Sequence, residues 1–150
     1  MSRSPLAPLW PLLDWGARLL VGGLFCYAGV MKLRDPVGFA NEIANYHLVP
    51  ELAPYAAASL PTVEVVLGAA LIAGPRPWRR AAALVLCALM ALFTVAVAQA
   101  VLRGINVDCG CFGTSSGPVS TWTVIRDLLL LVAAALPLAI PPPRPAPAAG

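Results

Sequence analysis

Residues 81–102 read AAALVLCALMALFTVAVAQAVL, and this stretch decides the fold. It holds no charged side chain, and about 20 mostly apolar residues are enough for a helix to cross the roughly 30 Å hydrocarbon core of a bilayer. Working outward, Arg103-Gly104 closes the stretch on one side and Gly74-Pro75-Arg76-Pro77 on the other. Two prolines that close together do not sit inside one helix. Before that break lies a second apolar stretch, Tyr55–Ala73, and before it a first, Leu12–Met31, ended by Lys32-Leu33-Arg34-Asp35-Pro36. A fourth, Thr121–Ile140, runs to Pro141-Pro142-Pro143, with Pro137 loosening its last turn. The chain is therefore expected to be an all-α integral membrane protein. It reads as a four-transmembrane-helix bundle forming one domain over residues 1–140, with an extended or disordered Pro/Ala-rich tail at 141–150. The first stretch reads as a retained helix and not a signal peptide, because Asp14 and Arg18 interrupt it and no small-x-small cleavage site closes it.

Composition points the same way. The 150 residues are 59% hydrophobic and only 11% charged, against about 25% charged in an ordinary soluble domain. The mean hydropathy is +0.80. The net charge of +3 comes from dispersed Lys and Arg, which excludes a nucleic-acid partner. Those basic residues instead set topology. Four spans place Arg3, Arg76, Arg79, Arg80 and Arg144 on one side and Lys32, Arg34 and Arg103 on the other, five against three. Both termini are expected in the cytoplasm of a multi-pass cell-membrane protein. The outward loop at residues 32–54 carries Phe39, Ile43 and Tyr46 at i, i+4 and i+7. This spacing predicts a short amphipathic helix lying on the outer surface of the bundle, ended by Pro50 and Pro54.

The second outward loop holds Asp108-Cys109-Gly110-Cys111-Phe112-Gly113. Three chemistries suit two thiols one residue apart. A structural disulfide is the plainest, but the chain-entropy argument gives a loop of three residues only about 1.6 kcal/mol before strain is subtracted. Gly110 lets the backbone bend enough to close so tight a ring. A bridge of that kind stabilises little and is easily reduced, which favours thiol–disulfide exchange with Cys109 and Cys111 as the catalytic pair. Asp108 disfavours the thiolate, while Arg103 and the N-terminus of the fourth helix favour it. Phe112 and Gly113 can fold the loop back onto the membrane face. The third chemistry is a soft-metal site, with His47 and Met31 joining the two thiolates around Cu(I), or His47 alone joining them to begin a zinc site. Cys26 reads as apolar filler or a third thiol, and Cys87, near the inner end of its helix, as packing.

Charges inside apolar spans are costly and seek partners. Glu64 and Arg126 fall at similar depth and are expected to pair. Such a pair either sets helix packing or serves as a proton relay or a polar contact for a quinone or thiol partner. Asp127 either shares Arg126 or faces the helix interface. Arg18 follows Asp14 by four residues and either pairs with it or reaches inward. Gly22, Gly23, Gly29 and Gly68 allow close helix contact, and Gln99 can hydrogen-bond across helices.

Several elements together resemble the MauE branch of the MauE/DoxX membrane proteins. They are Tyr27-Ala28-Gly29-Val30-Met31-Lys32-Leu33, Asn45-Tyr46-His47-Leu48-Val49-Pro50, Leu60-Pro61-x-x-Glu64, Arg103-Gly104, Cys109-Gly110-Cys111-Phe112-Gly113 and Val124-Ile125-Arg126-Asp127. The resemblance covers about residues 12–135, and Cys-Gly-Cys-Phe-Gly is its most specific part. It implies a four-helix membrane protein linked to redox maturation, as in methylamine dehydrogenase biogenesis, where periplasmic disulfides form alongside a thioredoxin-like partner. The layout is more distantly similar to vitamin K epoxide reductase-like disulfide formers. Those carry a second cysteine pair in the first outer loop, and residues 32–54 contain no cysteine. The expected function is thiol–disulfide exchange through the outward Cys-Gly-Cys loop, with a thioredoxin-like partner and a membrane quinone as a candidate cofactor. The alternative is a membrane scaffold or copper-binding assembly factor.

Overall fold

The computed structural model describes residues 10–105 and 118–139. Its elements are α1 (Trp10–Arg34), α2 (Pro36–Asn45), a 3₁₀ turn (Pro50–Leu52), α3 (Ala53–Ala73), α4 (Arg76–Leu102) and α5 (Thr121–Ala139). No strand occurs among the described residues. The protein is an all-α multi-pass membrane protein: α1, α3, α4 and α5 are each long and apolar enough to cross a bilayer. The Pro/Ala-rich tail and the Cys-Gly-Cys segment lie outside the described residues.

The helix ends follow local rules. Proline is tolerated in a first helical turn, where its missing N–H has no acceptor to lose. Accordingly α3 starts at Ala53 with Pro54 in its first turn, and α4 starts at Arg76 with Pro77 in its own. Both helices therefore begin earlier than the apolar runs suggested. Asp35 caps α2 by accepting from the Gly38 N–H at 2.8 Å, with Pro36 as the first helical residue. Gly104 stops α4 with a φ of 65°. The Gly104 N–H donates to Val101 O at 3.1 Å and the Ile105 N–H to Ala100 O at 3.0 Å, the paired bonds of a Schellman stop.

α1 packs on α3 and α5, and α4 packs on the same two helices, so the four spans form a ring of antiparallel neighbours. The α1–α3 contact is close because glycines face it. A Cβ added at Gly68 would lie 2.6 Å from Gly22 O, and one at Gly29 would lie 2.6 Å from Pro61 O. Small residues of this kind let helix backbones approach where lipid gives no hydrophobic drive to association. Cys26 sits in the same seam, with Sγ 3.6 Å from Val65 O, and Cys87 packs against the core. Both act as packing residues.

The two halves of the bundle differ. Toward the α3–α4 turn, Val21, Phe25, Leu71, Ala82, Ala83, Leu86, Met90 and Ala134 form a solid buried core. Arg18 seals that end. It pairs with Asp14 at 3.5 Å and donates from Nε to Leu71 O at 2.9 Å and from Nη2 to Ile72 O. Those carbonyls belong to the last turn of α3, which has no acceptor-satisfying turn of its own to follow. The outer helix faces carry exposed Leu19, Leu20, Leu84, Val95, Leu129 and Val132, a surface suited to acyl chains and not to water. The other half of the bundle encloses a cavity.

Candidate functional site

The cavity measures about 230 Å³ and is walled by all four spans together with α2 and Leu48–Val49. It lies at the end of the bundle that bears α2, the C-terminus of α4 and the N-terminus of α5. Its walls are mainly apolar, including Leu24, Phe25, Leu60, Met90, Phe93 and Leu130. Lys32, Glu42, Glu64, Arg126 and Asp127 also line it. Five ionisable side chains bordering one membrane-embedded space are costly by any account of charge in lipid, which makes the cavity the candidate site.

Glu64 is held by Lys32. The Lys32 ammonium donates to Oε1 at 2.6 Å and to Oε2 at 2.8 Å, and the two side chains are only 4% and 1% exposed. The Phe39 and Phe93 rings lie 4.9 and 5.2 Å from the Lys32 Nζ, close enough for their π faces to favour the cation. This corrects two expectations. Glu64 pairs with Lys32 and not with Arg126. Lys32 is a buried member of α1, not a charge of the outer loop. The contacts of Gly22 with Gly68 and of Gly29 with Pro61 set a register that places the Lys32 backbone beside Ala58. Glu64 lies six residues, or about 9 Å, further along α3. The lysine thus reaches into the bundle, opposite to the usual outward snorkelling of a helix-end lysine.

Arg126 turns to its own neighbour. Its Nη2 lies 2.9 Å and its Nε 3.2 Å from Asp127 Oδ1. Asp127 is 2% exposed, and its Oδ2 is buried with no hydrogen-bond partner among the described residues. Glu64 and Arg126 therefore meet in one cavity, as similar depth suggested, but each closes on a different residue.

α2 covers this space. Phe39, Ile43 and Tyr46, the face marked by i, i+4, i+7 spacing, line the cavity. Gln99 on α4 donates to Tyr46 O at 3.2 Å and ties the end of α2 across the bundle, the cross-helix bond anticipated for it. Among the described elements α2 packs on α1, α3 and the 3₁₀ turn, and not on α4 or α5. Leu92 of α4 lines the cavity while 63% exposed, and Leu48 and Val49 line it while about half exposed, so these residues form part of its outer rim.

His47 is exposed and follows α2 with a φ of 53°, where its N–H donates to Ala44 O at 3.0 Å. It ends the helix. Met31 is half-buried, its Sδ 4.0 Å from Arg34 Nη1. Asp108, Cys109, Gly110, Cys111 and Phe112 lie outside the described residues. Lys32 was the residue that sequence reading placed wrongly. The usable signal was its spacing from Phe25 and Ala28, at i, i+3 and i+7, which puts it on the buried face of α1.

Fold and cavity together define a class: a small multi-pass helical membrane protein with a charged, lidded cavity inside one half of its bundle. The family model described as methylamine utilisation protein MauE matches residues 10–140. Methylamine utilization protein MauE of Paracoccus denitrificans is 35% identical over 139 residues, covering 87% of this chain and 74% of that protein. The Methylophilus methylotrophus protein of the same name is 37% identical, covering 87% and 72%. The chain belongs to the MauE family. No solved structure matches it.

Proposed function

We propose that this protein performs thiol–disulfide exchange through Cys109 and Cys111 on the extracytoplasmic side of the cell membrane. It thereby supports the maturation of an extracytoplasmic protein through a thioredoxin-like partner, in the methylamine utilisation for which its relatives are named. The observation that carries this reading is the Cys-Gly-Cys sequence itself, between Ile105 after α4 and Pro118 before α5. Orientation follows from the basic residues. With Lys32 buried, the loop charges stand at five against two and favour cytoplasmic termini.

The exchange balances in two steps. A thiolate of the partner attacks one sulfur of the Cys109–Cys111 disulfide, forming a mixed disulfide and releasing the other sulfur as a thiolate. The partner's second thiolate then displaces the bound cysteine, leaving an oxidised partner and two reduced thiols on this chain. Returning the pair to the disulfide requires an acceptor for two electrons and two protons, the role proposed for a membrane quinone. The cysteine of the pair that is attacked first is the one whose sulfur stays linked to the partner.

Replacing both cysteines by Ser is expected to leave the partner reduced in cells, read by gel mobility after alkylation. A partner stripped of its second thiol is expected to accumulate a reductant-sensitive adduct with this chain, because nothing of the partner's then displaces the bound cysteine, and Cys109→Ser or Cys111→Ser in this chain is expected to abolish that adduct. Unchanged partner oxidation in the double variant would rule the proposal out.

A further inference from the structure

The cavity holds unused hydrogen-bonding groups of both kinds. An ammonium has three donors, and Lys32 spends two on Glu64, leaving one with no acceptor among the described residues. Asp127 Oδ2 is a buried acceptor with no donor among the described residues. The first group donates and the second accepts, and Lys32 and Asp127 both line a mainly apolar space that Glu42, Glu64 and Arg126 also border. Buried polar atoms left unmatched are costly, so an occupant that meets both gains from each.

Size narrows the occupant. An engineered cavity of about 150 Å³ accepts benzene, and this one, at about 230 Å³, suits a single substituted ring. Phe39 and Phe93 flank the polar end. Leu92 lines the cavity while 63% exposed on a membrane-spanning helix, so the occupant arrives from the bilayer. An acyl chain or sterol body offers too little to Lys32 and Asp127 together. A para-quinone carbonyl accepts from an ammonium, and a hydroquinone hydroxyl donates to a carboxylate.

We infer that the cavity is a binding site for a one-ring quinone or hydroquinone, with the Lys32 ammonium donating to a ring oxygen and Asp127 Oδ2 accepting from a ring hydroxyl. The inference deepens the proposed function, since it places the two-electron acceptor of that reading. Its test is independent of thiol chemistry. Protein carrying Cys109→Ser and Cys111→Ser is purified in detergent and titrated with a decyl-substituted dimethoxy-methyl-benzoquinone and with its reduced form, following binding by equilibrium dialysis. One saturable site is expected, with the reduced form held more tightly. Ala96→Leu fills the cavity without touching its charges and is expected to abolish binding while the thermal midpoint holds or rises. Asp127→Leu is expected to weaken the reduced form by about tenfold or more. Absence of saturable binding would overturn the inference, as would binding unaffected by Ala96→Leu or equal competition by a ten-carbon alcohol. If this double-serine protein binds and the intact protein still fails to oxidise its partner, the proposed exchange falls while the binding site stands.

Discussion

Glu64→Ala is expected to lower stability by about 3–5 kcal/mol, because it strands the Lys32 ammonium inside the bundle without its carboxylate. The pair is bidentate, and both members are almost wholly enclosed. Lys32→Met strands the carboxylate instead and is expected to be at least as harmful. After Glu64→Ala the cation still has the Phe39 and Phe93 rings, whereas Glu64 has no second cation among its contacts. The double variant Lys32→Met with Glu64→Leu removes both charges and keeps most of the volume. It is expected to recover most of the loss, since a buried ion pair is often no more stabilising than a well-packed apolar pair. Thermal unfolding of the detergent-solubilised protein checks all three. Single variants as stable as the parent would mean that the pair is not buried as described. A double variant as unstable as the singles would mean that the charges act separately.

Gly22→Val and Gly68→Val are expected to be strongly damaging, while Gly23→Val one position away from Gly22 is tolerated. A Cβ at Gly22 would stand 2.6 Å from Ile72 Cγ1 and 2.8 Å from Gly68 O. The side chain can shift, but the carbonyl moves only if α1 and α3 part. At Gly68 two of the near atoms are backbone, Gly22 O at 2.6 Å and Cys26 N at 3.1 Å. Overpacking of this kind costs about 1–3 kcal/mol, and occasionally more. At Gly23 nothing lies within 4 Å of the added atom. The seam also sets the register that lets Lys32 reach Glu64, so parting it should loosen the ion pair as well. The same unfolding assay separates these outcomes. Equal effects at Gly22 and Gly23 would contradict the packing described.

The contrast between these two sites shows what the sequence makes legible. The four spans are readable because each is a mostly apolar run bounded by glycine, proline or charge, and a bilayer demands that length. α2 is readable because Phe39, Ile43 and Tyr46 repeat at helical spacing. Gly104 as the end of α4 is readable because a left-handed stop favours glycine. The partner of Glu64 is not readable in this way. It depends on how far α1 is slid along α3, which the close contacts of Gly22 with Gly68 and of Gly29 with Pro61 fix. Lys32 misleads because, beside Arg34 and Asp35, it looks like the start of a loop, and its burial comes from a carboxylate 32 residues away in the chain. Arg126 and Asp127 mislead differently. Adjacent helix residues do not normally face each other, but a long guanidinium side chain folds back to reach Asp127 Oδ1.

The central claim is that Cys109 and Cys111 form an outward, exchangeable disulfide. Thiol trapping on intact cells tests it most directly. A membrane-impermeant maleimide is applied before and after mild reduction, and each cysteine is read by mass spectrometry, with Cys26 and Cys87 inside the spans as unlabelled references. The account predicts that Cys109 and Cys111 are labelled only after reduction. Labelling without reduction would contradict a resting disulfide. Labelling seen only once the membrane has been opened would contradict the orientation, and the proposed exchange with it.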